Sequence, residues 1–496
     1  MRLWKQANEG VEVGLEQFYR RLNPRAPYNA PQFKVTLFLL GLFAAYLFYT
    51  LVMFKFLPEL GPKLVIAGCG GLALVWLGPK ITFPLYFATW FSAAIPAVVL
   101  PISLNRVLAL LFVASWFAHI IRFPPRIPKY TAVAVLGVLT LYGVTLNILM
   151  KDADSPASIQ QLVYFFIGIA VFSVYRTKAD LVGLLWFFVG ITLVLTSIGF
   201  VEFITRIELF PYLSDTAITE NNVRINGISR NAIQYAFNAT WVIPAALYLH
   251  LQTERPWLRT ISMGIIIFLI TCCLLTFNRQ TPIILAAMIF GGILLIRYKY
   301  RTRLLILFFL IAAAVTPFVV GKILERYNNI GAGKPDVSLA VRYDKLMVAK
   351  EILQDHWVLG IGLNNFQDYW FEYKPKGELY QIHTDPEHKY YIDLGYAQLL
   401  TETGVVGLLG FLLLMLICFI LWFTAYKKSL RDTDPNNTNL LAFMAMNFTQ
   451  LLISMLIQDT FYTPHTYLLF FLFFTILTII REEEKTKHCA FALAKC

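Results

Sequence analysis

The sequence predicts an all-α polytopic membrane protein with about 14 transmembrane helices and one large loop on the outer face that carries short helices of its own. Three observations predict it. The 496 residues are 58% hydrophobic. Only 15% are charged, against about 25% in ordinary soluble domains. Apolar runs long enough to cross hydrocarbon recur from Lys34 almost to the C-terminus, without the alternating short strands of a barrel.

Residues 1–34 are polar and basic and read as a cytoplasmic segment. No short apolar core with a small-residue cleavage site follows, so the first span is expected to act as its own insertion signal. The apolar runs fall at about 35–56, 63–79, 81–99, 103–121, 130–150, 160–175, 180–204, 232–251, 260–277, 281–296, 304–321, 396–424, 439–457 and 465–480. Each is near the ~20 residues that a bilayer requires. They divide the chain into a transmembrane bundle over 35–321, with a periplasmic loop at 205–231, a large periplasmic loop at 322–395, C-terminal spans over 396–480 and a cytoplasmic tail at 481–496.

Charge sets the orientation. The net charge of +12 resides mainly in alternate short loops. These carry Arg122, Arg126 and Lys129; Arg176 and Lys178; Arg255 and Arg259; Arg297, Lys299, Arg301 and Arg303; and Lys427, Lys428 and Arg431. Positive charge concentrates on the cytoplasmic side, which puts both termini of a multi-pass protein inside. The same distribution argues against nucleic acid as a partner. Four of the six cysteines lie in apolar runs and none in the two large polar loops, so no disulfide framework or zinc pattern is expected.

Within the large loop, VRYDKLMVAKEILQDHW reads as a helix, with apolar Leu346, Val348, Ala349, Ile352 and Leu353. FEYKPKGELYQIHTDPEHKY reads as loop, with prolines at 375 and 386. On the expected outer face, Arg224 and Arg230 (RINGISRN), Arg279 (TFNRQTP) and Arg342 depart from the charge rule. A guanidinium there suits a phosphate, because it stays charged and forms forked bonds to oxygen. The competing reading pairs Arg224 and Arg230 with Glu220 or sends them to lipid headgroups. His383, His388 and Asp393 are candidate bases for an acceptor hydroxyl. Tyr391, Gly395, Gln398 and Glu402 follow at helical spacing and share a face that should point into the bundle or a wet cavity. Glu402 fits a structural hydrogen bond equally well, and Gly404, Gly407 and Gly410 read as close-packing positions. Trp370, Phe371, Tyr373, Tyr380, Tyr390 and Tyr391 suit stacking on sugars or anchoring at the interface.

Four segments in order resemble the O-antigen ligase and O-antigen polymerase superfamily of membrane glycosyltransferases: RINGISRNAIQYA, LLTFNRQTPIILAA, VRYDKLMVAKEILQDHWVLGIGLNNF and DLGYAQLLTETGVVGLLG. They cover roughly residues 220–410. The resemblance implies a bacterial inner-membrane protein with one large periplasmic loop, an undecaprenyl-pyrophosphate-linked glycan donor and transfer to a hydroxyl on the periplasmic face, for polysaccharide or lipopolysaccharide biosynthesis. The acceptor is another repeat unit (polymerase) or lipid A-core (ligase), and polysaccharide-export proteins are further possible partners. Members are generally regarded as metal-independent and inverting, with no cofactor. Arg224 and Arg279 match the arginines thought to hold pyrophosphate. Ligases usually carry a histidine nine residues before the glutamate of the last motif. Asp393 stands there in this sequence, with His388 five residues earlier. That departure leans toward a polymerase and leaves Asp393 and His388 as competing bases. Rival readings are a transporter of a small anion, which should show broken helices in paired halves, and a structural component of an assembly.

Overall fold

The computed structural model describes residues 75, 77–91, 104–122, 126–150, 156–207, 225, 229, 232–278, 280–298, 301–306, 308–310, 313, 317, 321, 337–373, 392, 394–432, 434–456 and 463–493. Helices and turns make up these residues, and no strand occurs among them. The chain is an all-α, multi-pass membrane protein. Thr131–Met150 (α3), Lys178–Thr205 (α5), Pro256–Leu274 (α7), Gly395–Ser429 (α11), Pro435–Met455 (α12) and Pro464–Leu493 (α13) each contain a stretch long and apolar enough to cross a membrane. Pro79–Ala88 (α1), Leu104–Arg122 (α2), Pro156–Val174 (α4), Ala232–Gln252 (α6) and Gln280–Leu295 (α8) are further helices on apolar segments. The expected spans at 35–56 and 63–79 fall largely outside the described residues. The expected span at 304–321 is described only in part.

Two compact units can be distinguished. The first comprises residues 1–125 and 179–183. There α1 packs on α2 through aromatic contacts, including Phe83 and Phe112 with ring centroids 5.2 Å apart. Lys80 pairs with Asp180 at 2.6 Å.

The second unit, residues 126–178 and 184–496, contains the rest. Its interior is built on α12 and α13, whose apolar windows are mostly buried, whereas much of α11 is exposed, as a lipid-facing helix should be. Phe448 packs between Phe470 and Phe473, and Tyr130 stacks on Phe474 at 5.4 Å. Several basic loops predicted to share one side gather at one end of this unit. Lys178 lies 3.9 Å from Asp434, Lys428 lies 2.6 Å from Glu484, and Arg126 pairs with Glu482. Arg297 donates from its backbone to Asn439 at 2.8 Å.

Among the described residues between 322 and α11, the helices are Val337–His356 (α9) and Phe366–Tyr373 (α10). The first contains the helix expected from sequence. The second was not anticipated, and it claims Phe371, Glu372 and Tyr373 from the stretch read as loop. Its cause is a small core of Val348, Ala349 and Ile352 from α9, Ile361 from the connecting turn, Phe366, Tyr369 and Trp370 from α10, and Ile392 before α11. Eight residues make too short a helix to stand alone in water. Burial of one face of α10 against α9 supplies the missing stability.

Candidate functional site

Helix α11 is continuous in outline but broken in its backbone. Gly404 sits at φ 66° and ψ −172°, a conformation strongly disfavoured for a residue with a side chain. The break would leave carbonyls and amides of the adjoining turns without helical partners, which is costly in a dry interior. The turn after α9 fills them. Ile361 N–H donates to Thr401 O at 3.1 Å, and Gly362 N–H to Glu402 O at 2.9 Å. In return Val405 N–H donates to Trp357 O at 2.9 Å, and Val406 N–H to Val358 O at 3.3 Å.

This joint needs two bare backbones in contact. Gly360 has φ +76°, and a Cβ there would come within 2.5 Å of the Glu402 carbonyl and of Gly404 N. A Cβ on Gly404 would strike the Val358 carbonyl. The GlyIleGly and GluThrGly segments are therefore two halves of one structural element. Gly404 is a close-packing position, as expected, and is also the point of unwinding. Gly410 does serve close packing, against Leu139 of α3.

Helix α3 holds the joint from the other side. The Asn147 amide accepts from Leu363 N–H and donates from Nδ2 to Leu363 O at 3.1 Å. The Tyr142 hydroxyl lies 3.0 Å from Thr403 O and 3.2 Å from Leu359 O, where its single proton serves both carbonyls. Asn365 Nδ2 donates to Ile361 O at 3.0 Å. Neither Asn147 nor Tyr142 was singled out from sequence. An asparagine near the end of a long apolar helix was the signal available for the first.

The polar face predicted for α11 does turn inward. Gln398 is 3% exposed and Glu402 is 1% exposed, with Gln398 Nε2 donating to Glu402 Oε1 at 3.3 Å. Gly395 is buried beside them. A narrow cavity adjoins the break, lined mainly by Leu136, Leu139, Leu363, Leu399 and Gly407, with Tyr142, Gln161, Thr403 and Tyr467 adding polar groups. The Tyr467 hydroxyl donates to Gln161 at 3.5 Å and lies 3.3 Å from the Thr140 hydroxyl.

Arg342 lies in the second turn of α9 and is half-buried. Asp344, two residues on, is buried at 3% exposure, a carboxylate the sequence reading passed over. Its spacing from Val348 and Ile352, four and eight residues on, put it on the apolar face of the helix. Trp370, offered as a sugar platform, is 1% exposed and belongs to the small core. Phe371 is 46% exposed and remains available. The Tyr373 hydroxyl donates to Asp355 at 2.9 Å; burial, reinforced by the Asp355 carboxylate, pushes it up to about 12, so it stays a donor.

Asp393, His388, His383, Tyr391, Arg224, Arg230 and Arg279 lie outside the described residues, but their chain neighbours are informative. Ile392 is 1% exposed in the small core, and Leu394 packs against it. The residues on either side of Asp393 are thus anchored where α9, α10 and α11 meet. Ile225, next to Arg224, is also 1% exposed and clusters with Tyr235 and Cys272, with Leu275 packed against them. Leu275 opens the turn that leads to Arg279. There Asn278 Oδ1 accepts from Gln280 N–H at 3.3 Å and caps α8. Ile225 and Leu275, far apart in sequence, therefore meet in one hydrophobic cluster. Among the described residues no group of histidine, cysteine and carboxylate side chains could hold a metal ion.

Residues 264–412 match the family described as O-antigen ligase. The match supports a likeness of this segment to the O-antigen ligase and polymerase superfamily. The matched segment runs from the middle of α7 to just past the break in α11, and so includes both halves of the joint. No curated protein matches the chain. The matched segment supports a membrane glycosyltransferase-like role in O-antigen or polysaccharide assembly.

Proposed function

We propose that this protein transfers a glycan from an undecaprenyl-pyrophosphate donor to an acceptor hydroxyl on the periplasmic face, extending a polysaccharide chain. The observation that carries the reading is the O-antigen ligase segment at 264–412, which contains Arg279, Arg342, His388, Asp393 and Glu402 in one continuous stretch. The buried, interlocked backbone at Gly360 and Gly404 gives that stretch a rigid base.

The reaction is a direct displacement. The acceptor oxygen bonds to the anomeric carbon as the bond from that carbon to pyrophosphate breaks, and configuration inverts. Negative charge grows on the leaving pyrophosphate, and Arg224 and Arg279 neutralise it where it develops, with Arg342 in support. Asp393 or His388 takes the acceptor proton. The clustering of Ile225 with Cys272 and Leu275 supports a shared pyrophosphate site for the two arginine segments. The anchoring of Ile392 and Leu394 supports a fixed position for the acceptor-side base. The polyprenyl tail reaches the site sideways from the bilayer.

The test is a panel of Arg224→Ala, Arg279→Ala, His388→Ala and Asp393→Asn, assayed in membranes at equal protein level. Loss of transfer in both arginine variants is expected, and full activity in them sinks the pyrophosphate site. Whichever of the other two variants loses transfer identifies the base. A deletion separates the two chemistries of this family. Acceptors carrying single repeat units indicate a lost polymerase, the expected result. Lipid-linked polymer that never reaches its acceptor indicates a lost ligase.

A further inference from the structure

We propose that Asn147 is a positioning residue for this transfer, acting through the glycine turn on the start of α11. The inference rests on the glycosyltransferase reading above. Asn147 lies in α3, outside the segment that matches the family.

Asn147 is 1% exposed. Its amide bonds both backbone groups of one residue, accepting from the N–H and donating to the C=O of Leu363. A side-chain amide that matches both groups of one residue acts as a backbone substitute and fixes position and orientation together. From Leu363 the connection to α11 is one residue long, because Gly362 N–H donates to Glu402 O. The fit around it is close. Gly362 has φ +90°, and a Cβ there would lie 2.8 Å from Asn147 Oδ1. On α3, a Cβ at Gly143 would lie 2.5 Å from the Leu363 side chain. The turn is thus clamped between a membrane-spanning helix and the broken helix, and the clamp ends on Glu402 and Gln398. Nearly three turns before the break lies Leu394, whose neighbour Asp393 is a proposed base.

A hydrogen-bonded clamp of this kind decides where the start of α11 sits. A small misplacement near reacting groups costs turnover far more than binding. The expected signature is therefore a split between the two kinetic constants, without loss of the fold.

The test uses the full-length protein in detergent or membranes, with purified undecaprenyl-pyrophosphate-linked repeat unit as probe. Asn147→Ala and Asn147→Asp are compared with wild type for turnover per folded protein, apparent KM for the lipid-linked probe, and amide hydrogen exchange at Ile361, Gly362, Val405 and Val406. For Asn147→Ala, turnover falls at least about tenfold while KM stays within about twofold. Exchange at the four amides accelerates, with thermal stability close to wild type. Asn147→Asp keeps the acceptor for Leu363 N–H, loses the donor, and falls between the two. It carries the same comparison if the alanine variant does not accumulate. Wild-type turnover in the variants overturns the proposal, and so does lost turnover with unchanged exchange at the four amides. A wild-type protein that transfers nothing from the lipid-linked probe overturns the functional reading instead. The exchange comparison then still decides whether Asn147 holds the joint.

Discussion

Gly360 and Gly404 meet backbone to backbone across the break in α11, and a Cβ on Gly360 would lie 2.5 Å from Gly404 N. Both residues have positive φ, 76° and 66°. A side chain at either position adds a backbone strain of about 1–3 kcal/mol to a steric conflict that only separation of the two segments relieves. Gly404→Ala and Gly360→Ala are each expected to lower transfer more than about tenfold and to reduce the amount of folded protein. Immunoblots of membranes alongside a transfer assay check both effects. Gly183→Ala serves as the control, because a Cβ there meets nothing within 4 Å.

Glu402 is expected to tolerate amide replacement. Its Oε1 accepts from Gln398 Nε2 at 3.3 Å in a buried site. Glu402→Gln keeps a carbonyl oxygen in place, so thermal stability should stay near wild type. Glu402→Ala leaves the Gln398 donor buried without that partner, at a cost of about 1–3 kcal/mol. Melting temperatures in detergent distinguish the two. A large loss of transfer in Glu402→Gln, with the fold intact, would assign the carboxylate a chemical role instead.

Trp370 separates core from surface among the aromatics. Trp370→Ala removes the largest side chain of the small core and is expected to destabilise the α9–α10 region by about 3–5 kcal/mol. Limited proteolysis should cut this region faster, and KM for the lipid-linked donor in the surviving protein should not change. Phe371→Ala changes an exposed ring and should leave proteolysis unchanged. A raised KM in that variant would mark a sugar contact.

Local pattern made much of this molecule legible. The apolar runs marked helices such as α3, α5 and α11 to within a few residues, because hydrocarbon length and backbone satisfaction leave a span few alternatives. The inward face of Gln398 and Glu402 was legible for the same reason, since helical spacing fixes which residues align. What escaped was long-range. Asn147 and Leu363 are more than two hundred residues apart, and nothing in either segment names the other. The break at Gly404 escaped because glycines in an apolar helix most often serve packing, as Gly410 does. α10 escaped because its eight residues carry no independent helical signal. Trp370 was misassigned because an aromatic near a polar loop fits an interface or a core equally well until α9 is seen to cover it.

Arg342 supplies the last prediction. It stands half-buried on α9, two residues before buried Asp344, on the helix whose other end runs into the joint. A guanidinium in a supporting role binds a pyrophosphate oxygen pair through its fork, which lysine cannot reproduce. Arg342→Ala is expected to raise KM for the lipid-linked donor by about tenfold, equivalent to about 1.4 kcal/mol of binding, with folding unchanged. Arg342→Lys keeps the charge and should recover part of the loss. The comparison is made at two salt concentrations, because screening weakens a simple charge contact more than a forked one held away from water. Equal KM in wild type and both variants removes Arg342 from the pyrophosphate site and leaves the charge on Arg224 and Arg279 alone.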